Sequence, residues 1–324
     1  MKPATLISIV SPVYGCRDCL QALSDAVAAA LRESGLEWEL VLVDDRAPDD
    51  PWPMIRGLAQ RDRRIRGVRL SRNHGQHLAI WAGLEAARGE WVVVLDCDLQ
   101  DDPAIIPRLL DKALAEGSDA VVVDRGEWSD TGFRRRASQL FYRVMETLGG
   151  LKLNNNIGNF GIYSRRLVDV LLRFRDKEVF LPVMVALTGL PVTTLSLDRS
   201  ARQIGRSSYN LSRLIRMAGA IVIRFSDRPL KLSVVLGAAL SGFAALFSVV
   251  LLLAWATGAF SVPGWTSLIL SVWFLAGLIL AVLGVHGVYI GRIFAEVQDR
   301  PRILVEQTTD GEDMRDAGER AGRG

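Results

Sequence analysis

Acidic residues gather at two places in this chain of 324 residues: Asp44-Asp45, and Asp96-Cys97-Asp98-Leu99-Gln100. Each group follows an apolar run of the kind that forms a buried strand, and a third such run ends in Ser11-Pro12-Val13-Tyr14. A single Asp pair after a strand is often only a turn or a helix cap. Asp-x-Asp with a second acidic pair at a neighbouring strand end says more, because hard oxygen ligands suit Mg²⁺ or Mn²⁺. Mg²⁺ typically keeps one or two carboxylates and completes its shell with phosphate oxygens. The pattern therefore predicts a divalent metal held against a nucleoside diphosphate.

Other chemistries are disfavoured. No Gly-x-x-x-x-Gly-Lys-Ser/Thr occurs, and no Gly-x-Gly-x-x-Gly follows the first apolar run, which argues against Walker-type ATP binding and ordinary dinucleotide binding. His74 and His77, at i and i+3, either contact a sugar or phosphate or make hydrogen bonds at a helix start. Zinc would need further ligands, and none is spaced for it. Cys16 and Cys19 form one CxxC with no second pair, so the three cysteines are read as reduced thiols in a cytosolic compartment. Nucleic-acid binding is disfavoured by a net charge of only +3 and the lack of an aromatic platform among the basic residues.

The elements that must position these residues alternate. Strands are expected at Leu6–Val13, Trp38–Val43, Gly67–Leu70, Trp91–Leu95 and Ala120–Val123. Helices are expected near Cys19–Glu33, Trp52–Arg61, His77–Ala87 and Pro103–Ala115. Near-continuous apolar strands separated by helices indicate a mostly parallel sheet covered on both faces. Such sheets bind ligands at the carboxyl ends of their strands, which is where the aspartates fall.

Charge is distributed unevenly along the chain. From Leu232 to Gly291 there are 60 consecutive residues without Asp, Glu, Lys or Arg. A bilayer core needs about 20 apolar helical residues, so two spans are expected, at roughly Pro229–Thr257 and Trp265–Gly291, with the break at Gly258, Pro263 and Gly264. Arg228 and Lys231 precede the first and Arg292, Arg300 and Arg302 follow the second, which puts both ends in the cytoplasm by the positive-inside rule. Upstream, Leu211, Leu214, Ile215, Ala218, Val222 and Phe225 share one helical face, with Arg213, Arg216 and Arg224 opposite. This is an amphipathic helix suited to the headgroup layer, or else an ordinary surface helix. The expected organisation is a catalytic domain at 1–208, an interfacial helix at 209–228, a transmembrane hairpin at 229–291 and a cytoplasmic tail at 292–324, disordered after about 308. The amino-terminal stretch has too short an apolar run for a signal peptide, which keeps the body on the cytoplasmic side of the inner membrane.

SPVYG, LVDD and LSRNHGQHLAIWAGLEAARGEWVVVLDCDLQDDP, followed by RSARQIGRSSYNLSRLI, FSDRPLKLS, two apolar segments and YIGRIFAEVQDRP, together resemble family 2 glycosyltransferases of the polyprenyl-phosphate type, a group similar to dolichol-phosphate mannose synthase. The resemblance covers about 300 residues. It implies a GT-A fold, Rossmann-like with a mostly parallel sheet, which transfers a sugar from a nucleotide-sugar donor to a polyprenyl phosphate, by analogy undecaprenyl phosphate. It implies that Pro12, Tyr14 and Asp44 line the nucleoside pocket, and that Asp45, Arg72, Asn73 and Gly75 belong to the donor site. Asp96 would contact the ribose or the metal, and Asp98 with Gln100 would hold Mg²⁺ or Mn²⁺ on the diphosphate. Arg125, Arg135, Arg199, Arg202 and Ser207 fall where relatives meet the acceptor phosphate, with Arg202 counted among the catalytic groups.

The chemistry fits that assignment. A phosphate monoester has its second pKa near 6, so the nucleophile is largely ionised and needs no strong base. It does need positive charge that lets two anions meet, and bidentate Arg side chains supply it. Headgroup attraction or a solvated surface is the bland alternative for each Arg. Three departures from the family pattern stand out: Asn159 in place of an Asp in Gly-Asp-Phe, Ser208 in place of a Lys, and Gly15-Cys16 in place of Asn-Glu. The competing readings are a processive polysaccharide synthase, for which two spans are too few, and an inactive scaffold, which the intact Asp96, Asp98 and Gln100 oppose. Two spans bury little surface per chain, which leaves room for a homo-oligomer.

Overall fold

In a computed structural model the described residues are 5–124, 157–176, 179–196, 228–257, 264–298 and 300–311. They fall into two compact units, one holding residues up to 196 together with 300–311, the other holding 228–257 and 264–298.

The first unit is built on strands β1 (Leu6–Val13), β2 (Glu37–Asp44), β3 (Ile65–Leu70), β4 (Trp91–Val94), β5 (Ala120–Asp124), β6 (Ile157–Ser164), β7 (Val192–Ser196) and β8 (Val305–Thr308). They form one sheet in the order β7-β5-β6-β4-β1-β2-β3-β8. Neighbours β4, β1, β2 and β3 are parallel, as are β5 and β7, while β6 runs against β4 and β5 and β8 runs against β3. This is the mixed, mostly parallel α/β sheet of a GT-A-like fold.

Helices α1 (Leu20–Leu31), α2 (Trp52–Arg61) and α4 (Ile106–Glu116) cover one face. Their Leu23, Val27, Ile55 and Leu109 join Ile7, Ile9, Leu40, Leu42 and Val93 of the strands in one core. Side chains alternate along a strand, so Val10 and Val43 point to the opposite face, where α3 (Gln76–Ala86) packs. That approach needs Gly83: a Cβ there would lie 2.2 Å from Val10 Cγ1. Two further helices, α5 (Arg165–Arg173) and α6 (Leu181–Leu187), share this second layer.

The expected strands and helices up to residue 124 are all present, β1 and α2 with the bounds read from the sequence. The region expected to be a tail contributes β8. Glu306 pairs with Arg46 and lies 3.7 Å from Arg69, and Asp310 pairs with Arg66 at 2.6 Å and with Arg88 at 3.2 Å. Thr309 exchanges hydrogen bonds with the backbone of Gly67. Just upstream, Arg302 donates to the Phe174 carbonyl and lies 5.3 Å from the Trp81 ring.

The second unit contains two long helices, α7 (Arg228–Ala256) and α8 (Trp265–Val297). Large apolar side chains such as Phe243, Leu246, Trp273 and Phe274 are exposed. Polar side chains bond back to their own helix: Ser233 Oγ donates to the Leu230 carbonyl at 2.7 Å, and His286 Nδ1 lies 2.8 Å from the Val282 carbonyl. Among the described residues one stretch, Ser271–Gly291, is long and apolar enough to cross a membrane, and none of it is buried. The expected interfacial helix lies, up to residue 227, outside the described residues.

Candidate active site

Because β4, β1 and β2 are parallel neighbours, their carboxyl ends open on one edge. Val13 stands level with Asp44, and Val10 with Val94. The edge therefore collects Ser11–Tyr14, Asp44–Asp45 and Asp96–Gln100. Pro12 is buried at the end of β1, and Tyr14 just beyond it is exposed. Asn159 joins them on β6: the pairing of Gly161 with Val94, continued two residues, brings position 159 level with Asp96.

Asp44 and Asp45 are both buried, and burial raises both carboxyl pKa values. Asp44 Oδ1 accepts from the Ala47 amide at 3.1 Å, and Oδ2 lies 3.3 Å from Arg69 Nε; both contacts oppose the rise. Asp45 accepts from the amides of His74 at 2.7 Å and Gly75 at 2.8 Å. Its two oxygens are thus committed to the loop that starts α3. Gly75 sits there at φ 90°, a conformation open to glycine and costly for other residues. Arg72 and Asn73, on the same loop, are exposed.

The residue after Gly75 reaches across to the next strand end, where Gln76 Nε2 donates to Asp96 Oδ1 at 2.6 Å. Sequence reasoning missed Gln76, because nothing in its type or position advertises that reach. The Asp96 amide in turn donates to Asp101 at 3.3 Å. Asp98 is exposed on a tight turn, accepting from the Gln100 amide at 3.1 Å, with Leu99 in the left-handed region at φ 61°. Gln100 is exposed beside it. Among the described residues no group of three or more His, Cys, Asp or Glu could hold a metal. Two carboxylates and an amide oxygen instead fit a hard cation that brings phosphate oxygens with its substrate.

Several buried polar atoms on and around this edge lack a hydrogen-bond partner among the described residues: Ser11 Oγ, Trp52 Nε1, His74 Nε2 and His77 Nδ1. Native interiors usually pair such atoms with protein or water. Burial lowers the pKa of both histidines, that of His77 to about 4, and the His77 ring sits edge-on to Phe180 with centroids 4.7 Å apart.

The cysteine expectation is corrected. Cys16 and Cys97 form a disulfide across 81 residues, leaving Cys19 free. Spacing along the chain hides this pair, but the sheet explains it: β1 and β4 are neighbours, and each cysteine lies three residues past its strand. The expected acceptor residues Arg125, Arg135, Arg199, Arg202 and Ser207 lie outside the described residues.

Residues 8–172 match the profile of Glycosyl transferase family 2. An undecaprenyl-phosphate 4-deoxy-4-formamido-L-arabinose transferase of Aeromonas hydrophila is 32% identical over 310 residues, covering 93% of each chain. A protein of the same name from Pseudomonas aeruginosa is 34% identical over 309 residues, 94% of this chain and 91% of its own. Among solved structures, a mannosyltransferase of Pyrobaculum calidifontis in complex with GDP-Man and Mn²⁺ covers 93% of this chain and 89% of its own at 16% identity, with a TM-score of 0.46.

Proposed function

Because the chain belongs to glycosyl transferase family 2, we propose that this glycosyltransferase moves a sugar from a nucleoside-diphosphate donor to undecaprenyl phosphate at the cytoplasmic face of the membrane. The observation that carries the proposal is the convergence of Asp44, Asp96 and Asp98 on one sheet edge. The acceptor follows from the two relatives named for undecaprenyl phosphate, which match over nearly the whole chain.

In this reading Pro12, Tyr14 and Asp44 receive the nucleoside, while Asp45 acts through the loop of Arg72, Asn73 and Gly75. Asp96, Asp98 and Gln100 would hold Mg²⁺ or Mn²⁺, which supplies positive charge to the departing diphosphate. Asn159, level with Asp96, offers a hydrogen bond to a sugar hydroxyl or phosphate but cannot act as a base. None is needed, because the attacking phosphate is already ionised. Arg125, Arg135, Arg199, Arg202 and Ser207 are assigned to the acceptor phosphate.

The membrane arrangement proposed is a two-span hairpin of α7 and α8 with both ends cytoplasmic. It is supported by β8: a chain that leaves the sheet after β7 and rejoins it at β8 crosses a bilayer an even number of times. The test is a transfer assay on purified protein with Mn²⁺, undecaprenyl phosphate and labelled nucleotide sugars, including a 4-deoxy-4-formamido-L-arabinose donor. A labelled glycolipid is expected from one donor; no product from any donor overturns the proposal.

A further inference from the structure

We propose that Cys16 and Cys97 form a thiol–disulfide exchange site whose oxidised form fixes the turn that carries Asp96 and Asp98. All three cysteines of the chain lie at the carboxyl edge: Cys16 just past β1, Cys97 just past β4, and Cys19 at the foot of α1. The Cα atoms of Cys16 and Cys97 are 6.3 Å apart, within the range a disulfide spans. Both residues are buried, yet Tyr14, Gly15 and Arg17 around one and Asp98 and Leu99 around the other are exposed. A local opening of either loop therefore brings the bond to solvent.

The placement gives the bond a consequence. Cys97 is the residue between the two aspartates, so the cross-link ties their turn to the loop that follows Pro12 and Tyr14. Within the turn the Gln100 amide donates to Asp98 and the Asp96 amide to Asp101, and Gln76 holds the Asp96 carboxylate from the start of α3. The disulfide adds a restraint across 81 residues, and it acts on a left-handed turn at Leu99. Disulfides in a reducing cytosol are usually transient or redox-sensing. That argument rests on the cytoplasmic placement proposed above; the exchange at the sulfurs is read out separately.

The step balances with a low-molecular-weight disulfide as oxidant. One protein thiolate attacks it, releasing one small thiol and forming a mixed disulfide. The second protein thiolate then attacks the protein sulfur of that bond, releasing the other small thiol. Two protein thiols lose two electrons and two protons, and the small disulfide is reduced to two thiols.

The test uses the full chain in detergent, equilibrated with oxidised or reduced glutathione, then alkylated and digested for mass spectrometry. The expected result is a linked Cys16–Cys97 peptide under oxidised glutathione, two alkylated residues under reduced glutathione, and an alkylated Cys19 in both. Amide hydrogen exchange across residues 96–101 should slow by about tenfold or more on oxidation, a difference abolished by Cys16→Ser. Independent alkylation of Cys16 and Cys97 at every glutathione ratio, a bond that glutathione never opens, or equal amide exchange in both forms would each overturn the inference. Mn²⁺ titration of the same samples separates the two proposals: absence of Mn²⁺ binding in both redox forms sinks the metal assignment and leaves the exchange result standing.

Discussion

Asp98 is exposed on its turn, where its carboxylate accepts from the Gln100 amide two residues on. Asn keeps that acceptor and removes the charge. Asp98→Asn should therefore leave the thermal melt unchanged and cut turnover at least about a hundredfold. Retained turnover removes Asp98 from the metal assignment. His77 makes a different prediction. Its pKa falls from 6.5 to about 4 on folding, so between those values the unfolded chain binds more protons. Stability is then full above pH 6.5 and is lost as pH falls toward 4, by up to about 3 kcal/mol. Asp44 and Asp45, whose carboxyls burial lifts, act in the opposite sense at acid pH. Comparing wild type with His77→Leu by denaturant unfolding from pH 7 to 4 isolates the histidine, and the variant should show the flatter acid limb. At this scale the placement of the aspartates at neighbouring strand ends was legible, because the apolar runs before them announce the strands. Gln76 was not, because its reach to Asp96 depends on the φ of Gly75 and on the hold of Asp45, neither of which is a property of Gln76 itself.

Elements were legible where burial forces composition. The strands of the parallel core, such as LISIVSPV, are covered on both faces and read as unbroken apolar runs. β6 (IGNFGIYS) is interrupted by Gly and Asn, and β8 (VEQT) is a half-exposed edge with one apolar residue in four. The second is placed by its pairing with β3 and by ion pairs that Glu306 and Asp310 make with residues more than two hundred positions away, which no local pattern records. Those pairs differ in worth. Arg66, facing Asp310, is well shielded, whereas Glu306 and Arg46 are more open to water. Asp310→Ala should lower stability by roughly 1–2 kcal/mol, and Glu306→Ala by less than about 1 kcal/mol, measured from urea midpoints. Equal effects would mean that shielding is not what sets the value of this clasp. Removing residues 305–311 altogether uncovers the β3 edge, which should show as concentration-dependent association.

The molecule as a whole consists of a sheet-based unit whose chain is interrupted by the two long helices and then resumed. A hydropathy profile shows the interruption but not the return, because resumption depends on pairing between distant segments. Reporter fusions test the proposed topology. A fusion after residue 324 should report the cytoplasm, and a truncation after Ala256 should report the opposite side. Cytoplasmic signal from both would mean that α7 does not cross. The return of β8 also has a consequence for how the protein is made. Gly67 and Thr309, which hydrogen-bond to each other, are 242 residues apart in the chain. Synthesis proceeds from the amino terminus, so β3 waits with a bare edge while both long helices leave the ribosome. Completion of the sheet therefore waits for residues 305–309, and a nascent chain stopped before residue 305 carries the β3 edge bare.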